Sequence, residues 1–230
     1  MNTLNKLTIL SSKHRNNTLF DQMKLLKSIG VWLEGKCSWL NDQSDWDLSP
    51  KVRSSFSPVE ILVAYHKRWG LELTILQEKS FKEEDNVITV IIKNQTELKK
   101  ELKLVYHRQL LNQDSSENVI FVSPSEKAIF QHSGSLLTLV SSKFTREKNS
   151  ECAVGRKDSI WSEAEGALAF TPLCGEGREC MIVTKIELEP WQETFGRIWE
   201  ITGCSEEEVY HRHFRHQSID QHSQGIKRTL

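Results

Sequence analysis

The stretch 64-AYHKRWGLELTILQEKS-80 changes its period at Gly70, and the fold class turns on that change. Upstream, Ser57 and Pro58 supply an N-cap and a first-turn proline. Val59, Leu62, Val63 and His66 follow at helical spacing, which predicts a short helix stopping at Gly70. Downstream, Leu71, Leu73 and Ile75 alternate with Glu72 and Thr74, which predicts a strand opening a sheet.

Further strands are predicted in "VITVIIK", "ELKLVYHRQLL", "NVIFVS", "LLTLVSS", "ALAF" and "CMIVTKIEL". Few helical segments separate them, so the sheet is expected to be antiparallel. The ends read differently. Leu19, Met23, Leu25, Leu26, Ile29, Trp32 and Leu33 predict an amphipathic helix broken at Gly30. "LNDQSDWDLSPKVRSSFSP" is turn-rich and reads as a connector. "WQETFGRIWEITGCSEEEVYHRHFRHQ" reads as helical with a break near Gly203, and Trp191, Phe195 and Trp199 recur every four residues as if packing that helix on the body. The expected fold class is therefore α+β, a single antiparallel β-sheet with helices packed on one face. Its domain covers 57–190, with helical extensions at 1–56 and 191–230.

The 230 residues are 38% hydrophobic and 27% charged, a balance that fits a globular protein. Thirty Lys and Arg against 31 Asp and Glu leave a net charge of -1, which argues against a nucleic-acid partner. No apolar run reaches the roughly 20 residues needed to span a bilayer, and the four-residue apolar patch near the start is too short for a secretory leader. The five cysteines are odd in number and irregularly spaced, so a disulfide framework is not expected and a cytoplasmic monomer is.

Several strings, taken in order, resemble the bacterial chorismate lyase family, the chorismate–pyruvate lyases of ubiquinone biosynthesis. "YHKRWGLELTILQEKSF" is similar to the family's first helix and strand, and "YHRQLLNQDSSENVIFVSPSEKAIF" to its central hairpin. "SSKFTREKNSECAVGRKDSIW" carries Thr145-Arg146, Gly155-Arg156 and Ile160-Trp161 in the family's order, and "GRECMIVTKIELEP" resembles its last strand. The resemblance covers about residues 57–190. It implies a ligand pocket closed by helical flaps and elimination of pyruvate from chorismate to give 4-hydroxybenzoate, with no metal or cofactor.

Chorismate carries two carboxylates, which an arginine fork binds well. The resemblance places that role on Arg108, with His107 as the neighbouring register, and it places Tyr65 in the pocket lining. Without the resemblance, Arg108 reads as a residue on a solvated sheet face. The family's acid–base glutamate follows a threonine, whereas here Thr184 is followed by Lys185, so the role falls to Glu187, with Glu189 on the same face. Gly134 and Ser135 stand where the family has a longer flap. The missing Thr-Glu pair and the short flap leave two hypotheses open: an active lyase, or a binding module of the same fold that senses a small aromatic carboxylate such as 4-hydroxybenzoate.

Other signals are weaker. Tyr65, Arg68, Glu72 and Lys79 follow the spacing of a transposase signature, but Asp42, Asp45 and Asp47 lie in a connector instead of at strand ends, and Gly70 interrupts the helix such a signature needs. His213 and His216 fit one helix face but His211 does not join them, so the C-terminal histidines read as a solvated basic helix end. Cys174 and Cys180 flank a glycine turn and read as the arms of a hairpin.

Overall fold

Val59, Ile61 and Val63 are β-branched, and Leu62, Ala64 and His66, each two apart, are the buried residues. That is a period of two, and the segment is strand β5 (Val59–His66) in place of the expected helix. The computed structural model describes residues 28–49, 52–53, 59–79, 85–109, 118–175 and 179–218. The predicted cap at Ser57 and Pro58 and the helix from Leu19 as far as residue 27 lie outside them. Within the described residues, Ile29–Leu33 is a strand.

Two antiparallel sheets dominate. The first contains, in spatial order, β12 (Glu147–Val154), β16 (Glu179–Leu188), β8 (Lys100–Gln109), β1 (Ile29–Leu33) and β2 (Lys36–Trp39). The second begins with β15 (Leu173–Gly175), β9 (Asn118–Ser123), β10 (Ala128–Ser133), β11 (Leu136–Phe144) and β17 (Glu193–Gly203). It continues through β7 (Asp85–Asn94), β6 (Leu71–Lys79), β5 and β3 (Trp46–Leu48), with β4 (Val52–Arg53) also paired to β5. Helix α1 (Lys157–Ile160), the pair β13 (Trp161–Ser162) and β14 (Ala167–Leu168), and helix α2 (Glu206–Ser218) complete the described chain.

The protein is therefore mainly β, a sandwich in which both sheets bury their inner faces in one core. Leu71, Leu73 and Ile75 of β6 and Val90 and Ile92 of β7 share that core with Leu102 and Leu104 of β8 and Ile182 and Ile186 of β16. Each such side chain contributes about 1.5–3 kcal/mol when fully buried. The expectation of one sheet with helices on one face is overturned, because both end segments supply strands to the two sheets. A four-residue spacing is also a multiple of two, so Phe195 and Trp199 fit a strand face as well as a helix, while Trp191 precedes the strand. The strand is preferred because β17 lies between β11 and β7, where Gly196 lets the Phe144 ring approach: a Cβ there would sit 2.1 Å from it. Cys174 and Cys180 are not hairpin arms either, since β15 pairs with β9 and β16 with β8.

Each sheet's outer face is partly covered. Helix α2 lies over Trp199, Ile201 and Phe130 of the larger sheet, with Val209 and Tyr210 packed down. Arg212 and His216 reach Asp85 at 2.9 and 3.0 Å, and Trp199 Nε1 donates to His213 Nδ1 at 3.1 Å. The histidines expected on a solvated helix end are thus divided, with His213 and His216 buried and His211 exposed. Over the smaller sheet, Ile160, Trp161 and Leu168 cover Val105, Met181 and Val183.

Two buried imidazoles make this fold sensitive to acid. Burial lowers the pKa of His66 and of His213 to about 4, and the His216 charge adds to the effect at His213. The unfolded chain takes up these protons near 6.5, so the stabilisation is complete above that pH and is lost as pH falls toward 4. Melting temperature should fall across that window, and His213→Gln should flatten the profile. An identical slope in the variant would exclude His213 as a contributor.

Candidate functional site

The sandwich interior holds Arg108. It lies on β8 opposite Cys180, 9% exposed, and points at the other sheet. Its Nε is 3.1 Å from Glu200 Oε1 on β17, and its Nη1 donates to Gln131 Oε1 on β10 at 2.6 Å. The Tyr106 hydroxyl donates to the same Glu200 oxygen at 2.5 Å. Burial opposes the guanidinium charge, but Glu200 together with Cys180 and Tyr106 outweighs it and holds the Arg108 pKa above its ordinary value. Burial, reinforced by Glu200, raises the Tyr106 phenol well above its usual range, so it remains a donor. The bidentate capacity that a substrate carboxylate would use is directed at the protein's own side chains, and Arg108 ties the two sheets together.

Glu187 lies elsewhere. It is on the outer face of β16 opposite Glu101, in ion pairs with Lys99 and, at 2.9 Å, Lys148. Those lysines hold its carboxyl at about 2, whereas a general acid needs a raised value. Arg108 and Glu187 stand on opposite sheet faces, about 23 Å apart along the ladder at the usual strand rise. Tyr65 is 42% exposed on the outer face of β5, next to Glu72 across the ladder. Gly134 and Ser135 form the exposed two-residue turn between β10 and β11, with Gly134 at φ 59°. Strands β17, β7 and β6 separate that turn from β5, so these residues do not form one site.

A different group converges at the end of the sandwich where Gly70 turns the chain. The loop 67–70 closes β5 onto β6, and Gly70 sits at φ 57° with its α-carbon so close to Thr96 that a Cβ would lie 2.5 Å from Cγ2. Gln95 N–H donates to the Gly70 carbonyl, and Trp191 N–H to the Thr96 carbonyl, joining three loops by backbone hydrogen bonds. Asn94, fully buried, fixes two of them: its amide donates to the carbonyls of Leu98 (2.7 Å) and Glu189 (3.0 Å), and its oxygen accepts from Thr96.

This end displays apolar side chains. Leu98 is 71% exposed and Trp191 58%, while Trp69 is half-buried and stacks on His66 at 3.8 Å between ring centres. Gln192 N–H donates to the Glu189 carbonyl, Pro190 fills the second position of that turn, and Trp191 fills the third at φ 57°. A positive φ after proline defines a type II turn, whose third position favours glycine. A tryptophan there costs about 1–2 kcal/mol relative to an unstrained backbone. Sequence reading assigned Trp191 to a helix face; the Glu-Pro-Trp-Gln turn, with proline ahead of a bulky residue, was the signal that could have located it.

A larger cleft of about 920 Å³ opens at the start of α2, lined by Glu207, His211, Arg212 and Arg215 with Leu136 and Cys204. Its charges are mixed, and Arg212 is already committed to Asp85 and Glu208. Among the described residues, no cluster of three or more His, Cys, Asp or Glu could hold a metal ion, and no helix is long and apolar enough to cross a membrane.

No protein-family model matches the sequence, and no curated protein does. In fold, the chain is similar to part of a bacterial glucoamylase solved with acarbose, at 15% identity and a TM-score of 0.58, over 82% of this chain and 28% of that one. A heparinase III gives 9% identity and a TM-score of 0.47, over 77% and 24% of the two chains. A GH36 alpha-galactosidase from Geobacillus stearothermophilus gives 10% and 0.34, over 77% and 30%. The chain thus spans under a third of each carbohydrate-active enzyme it resembles. The resemblance to chorismate lyases is overturned by the two-sheet sandwich and by the likeness to the glucoamylase. With it go pyruvate elimination from chorismate and the sensor of the same fold.

The position of Arg108 predicts a stability defect. Arg108→Ala leaves the part-buried Glu200 without its cation and should cost up to about 3 kcal/mol in urea unfolding. Arg108→Met combined with Glu200→Leu should recover most of that loss. Equal destabilisation by the single and double variants would show that packing, and not charge pairing, sets the cost.

Proposed function

We propose that this β-sandwich binds carbohydrate, with the Trp191 loop end as its platform. The observation that carries the proposal is a tryptophan placed, against backbone preference, at the glycine position of a type II turn and left 58% exposed. Strain held at a solvent-facing aromatic is a mark of function, because folding gains nothing from it. A pyranose ring has an apolar C–H face that stacks on an indole, and its hydroxyls need hydrogen-bonding groups around the rim. Leu98 extends the apolar surface, and Gln95, hydrogen-bonded to Glu72 at 3.1 Å, stands beside it with Glu97 and Lys99. The fold's likeness to part of a glucoamylase solved with a saccharide inhibitor supports the same reading.

The strain supplies a test that separates function from folding. Calorimetric titration with neutral and sulfated oligosaccharides should show saturable binding that Trp191→Gly weakens more than tenfold, as for a central contact residue. The same variant should match or exceed the parent's stability, by up to about 1 kcal/mol, because glycine relieves the left-handed backbone. Undiminished affinity in Trp191→Gly, or no binding across the series, would overturn the proposal.

A further inference from the structure

We propose that the cleft between the β9–β10 turn and edge strand β12 is a second saccharide site, sized for a short neutral pyranoside. The inference rests on the carbohydrate reading of the chain but uses residues far from Trp191 in the sequence. The cleft holds about 510 Å³, within the range of ordinary small-ligand sites. It lies where the two sheets meet at their edges, since β12 borders the smaller sheet and β9 lies next to the border of the larger one.

Its aromatic wall is held from both sides. The segment 169–172 crosses from one sheet to the other: the Val154 N–H donates to the Thr171 carbonyl, and the Val122 N–H to the Pro172 carbonyl. With its backbone fixed on both strands, this strap leaves Phe170 70% exposed at the cleft. A phenyl ring so placed contributes little to the core and is ready to cover an apolar ring face.

The opposite rim carries a second strained residue. The four-residue loops β5–β6 and β9–β10 both end in a left-handed residue, Gly70 in the first and Lys127 in the second, at φ 57° and 49°. Glycine takes that conformation freely and lysine does not, so the ammonium on the cleft rim is bought with backbone strain. Lys127 and Glu151 are the charged residues lining the cleft and offset each other, and Lys127 Nζ also lies 3.5 Å from Glu147 Oε1, so the site has no excess of positive charge. That balance favours a neutral ligand over an anionic one. Ser123 and Ser150 add hydroxyls that both donate and accept, suited to sugar hydroxyls. Cys152 forms part of the wall; burial pushes its thiol up to about 12, so it serves as apolar lining and not as a nucleophile.

The test uses the full chain with methyl glucoside, methyl galactoside, maltose and cellobiose as probes, followed by saturation-transfer NMR and calorimetry. At least one probe should bind the parent, and Phe170→Ala should weaken it at least tenfold. Lys127→Gly should weaken it severalfold while leaving the melting temperature unchanged or raised. Trp191→Ala should leave short-probe binding intact. If Trp191→Ala removes all saccharide binding and Phe170→Ala removes none, the cleft proposal is overturned and the loop-end platform stands. If Phe170→Ala alone removes short-probe binding, the cleft stands, and the platform is decided separately by the longer oligosaccharides. If no probe binds the parent, the cleft proposal fails, whatever longer oligosaccharides do.

Discussion

Two antiparallel sheets with apolar inner faces bury those faces most completely against each other, and every other feature of this protein follows from that contact. The shared core draws on β6 and β7 from one sheet and β8 and β16 from the other, so neither sheet is complete without its neighbour. Once the inner faces are committed, the outer faces are free for lighter cover. Helix α2 covers part of one, and α1 with the β13–β14 pair part of the other. The strand ends and sheet edges are left for loops, and Trp191 and Phe170 are exposed there.

The same contact explains the fate of Arg108. A charge on the inner face of β8 must find its partner across the sandwich, and Glu200, Gln131 and Tyr106 form a closed polar cluster around it. A buried pair of this kind adds little net stability over an apolar pair, but it penalises any register that leaves either charge alone. Because a one-residue slip would turn β8 inside out, the cluster also fixes the alignment of β8 against β17. Arg108 therefore serves the architecture, and the surface chemistry must be sought in the loops.

Backbone strain marks where. Among the described residues, the non-glycine positions with positive φ are Glu34, Lys127 and Trp191. Glu34 belongs to the tight β1–β2 turn with Gly35, a position of local geometry. The other two hold a cation and an indole in exposed places beside a cleft and a loop surface. Neither gains core packing from its position, and both binding proposals rest on that uncompensated strain.

The sequence by itself determined most of the strands. The alternation of β6 after Gly70, the apolar runs of β7 and β16, and the antiparallel pairing that short turns impose were legible because a strand's period of two is a local property. Whether a segment at four-residue spacing is helix or strand was not legible, since that spacing satisfies both periods, and β17 was misread for this reason; β5 was misread because a Ser-Pro cap and the three- and four-residue steps from Val59 to His66 also fit a helix. The candidate sites were less legible still: the residues alone left Arg108 on a solvated face, whereas it lies on the inner face, and what it meets there depends on β10 and β17, far along the chain. Trp191, Leu98 and Trp69 come from three separate loops, and only the tertiary structure joins them, through Asn94 and the backbone hydrogen bonds around it. Periodicity fixes which face of a strand is apolar; which second face covers it, and which loops that packing gathers at one end, is decided by contacts between residues distant in sequence.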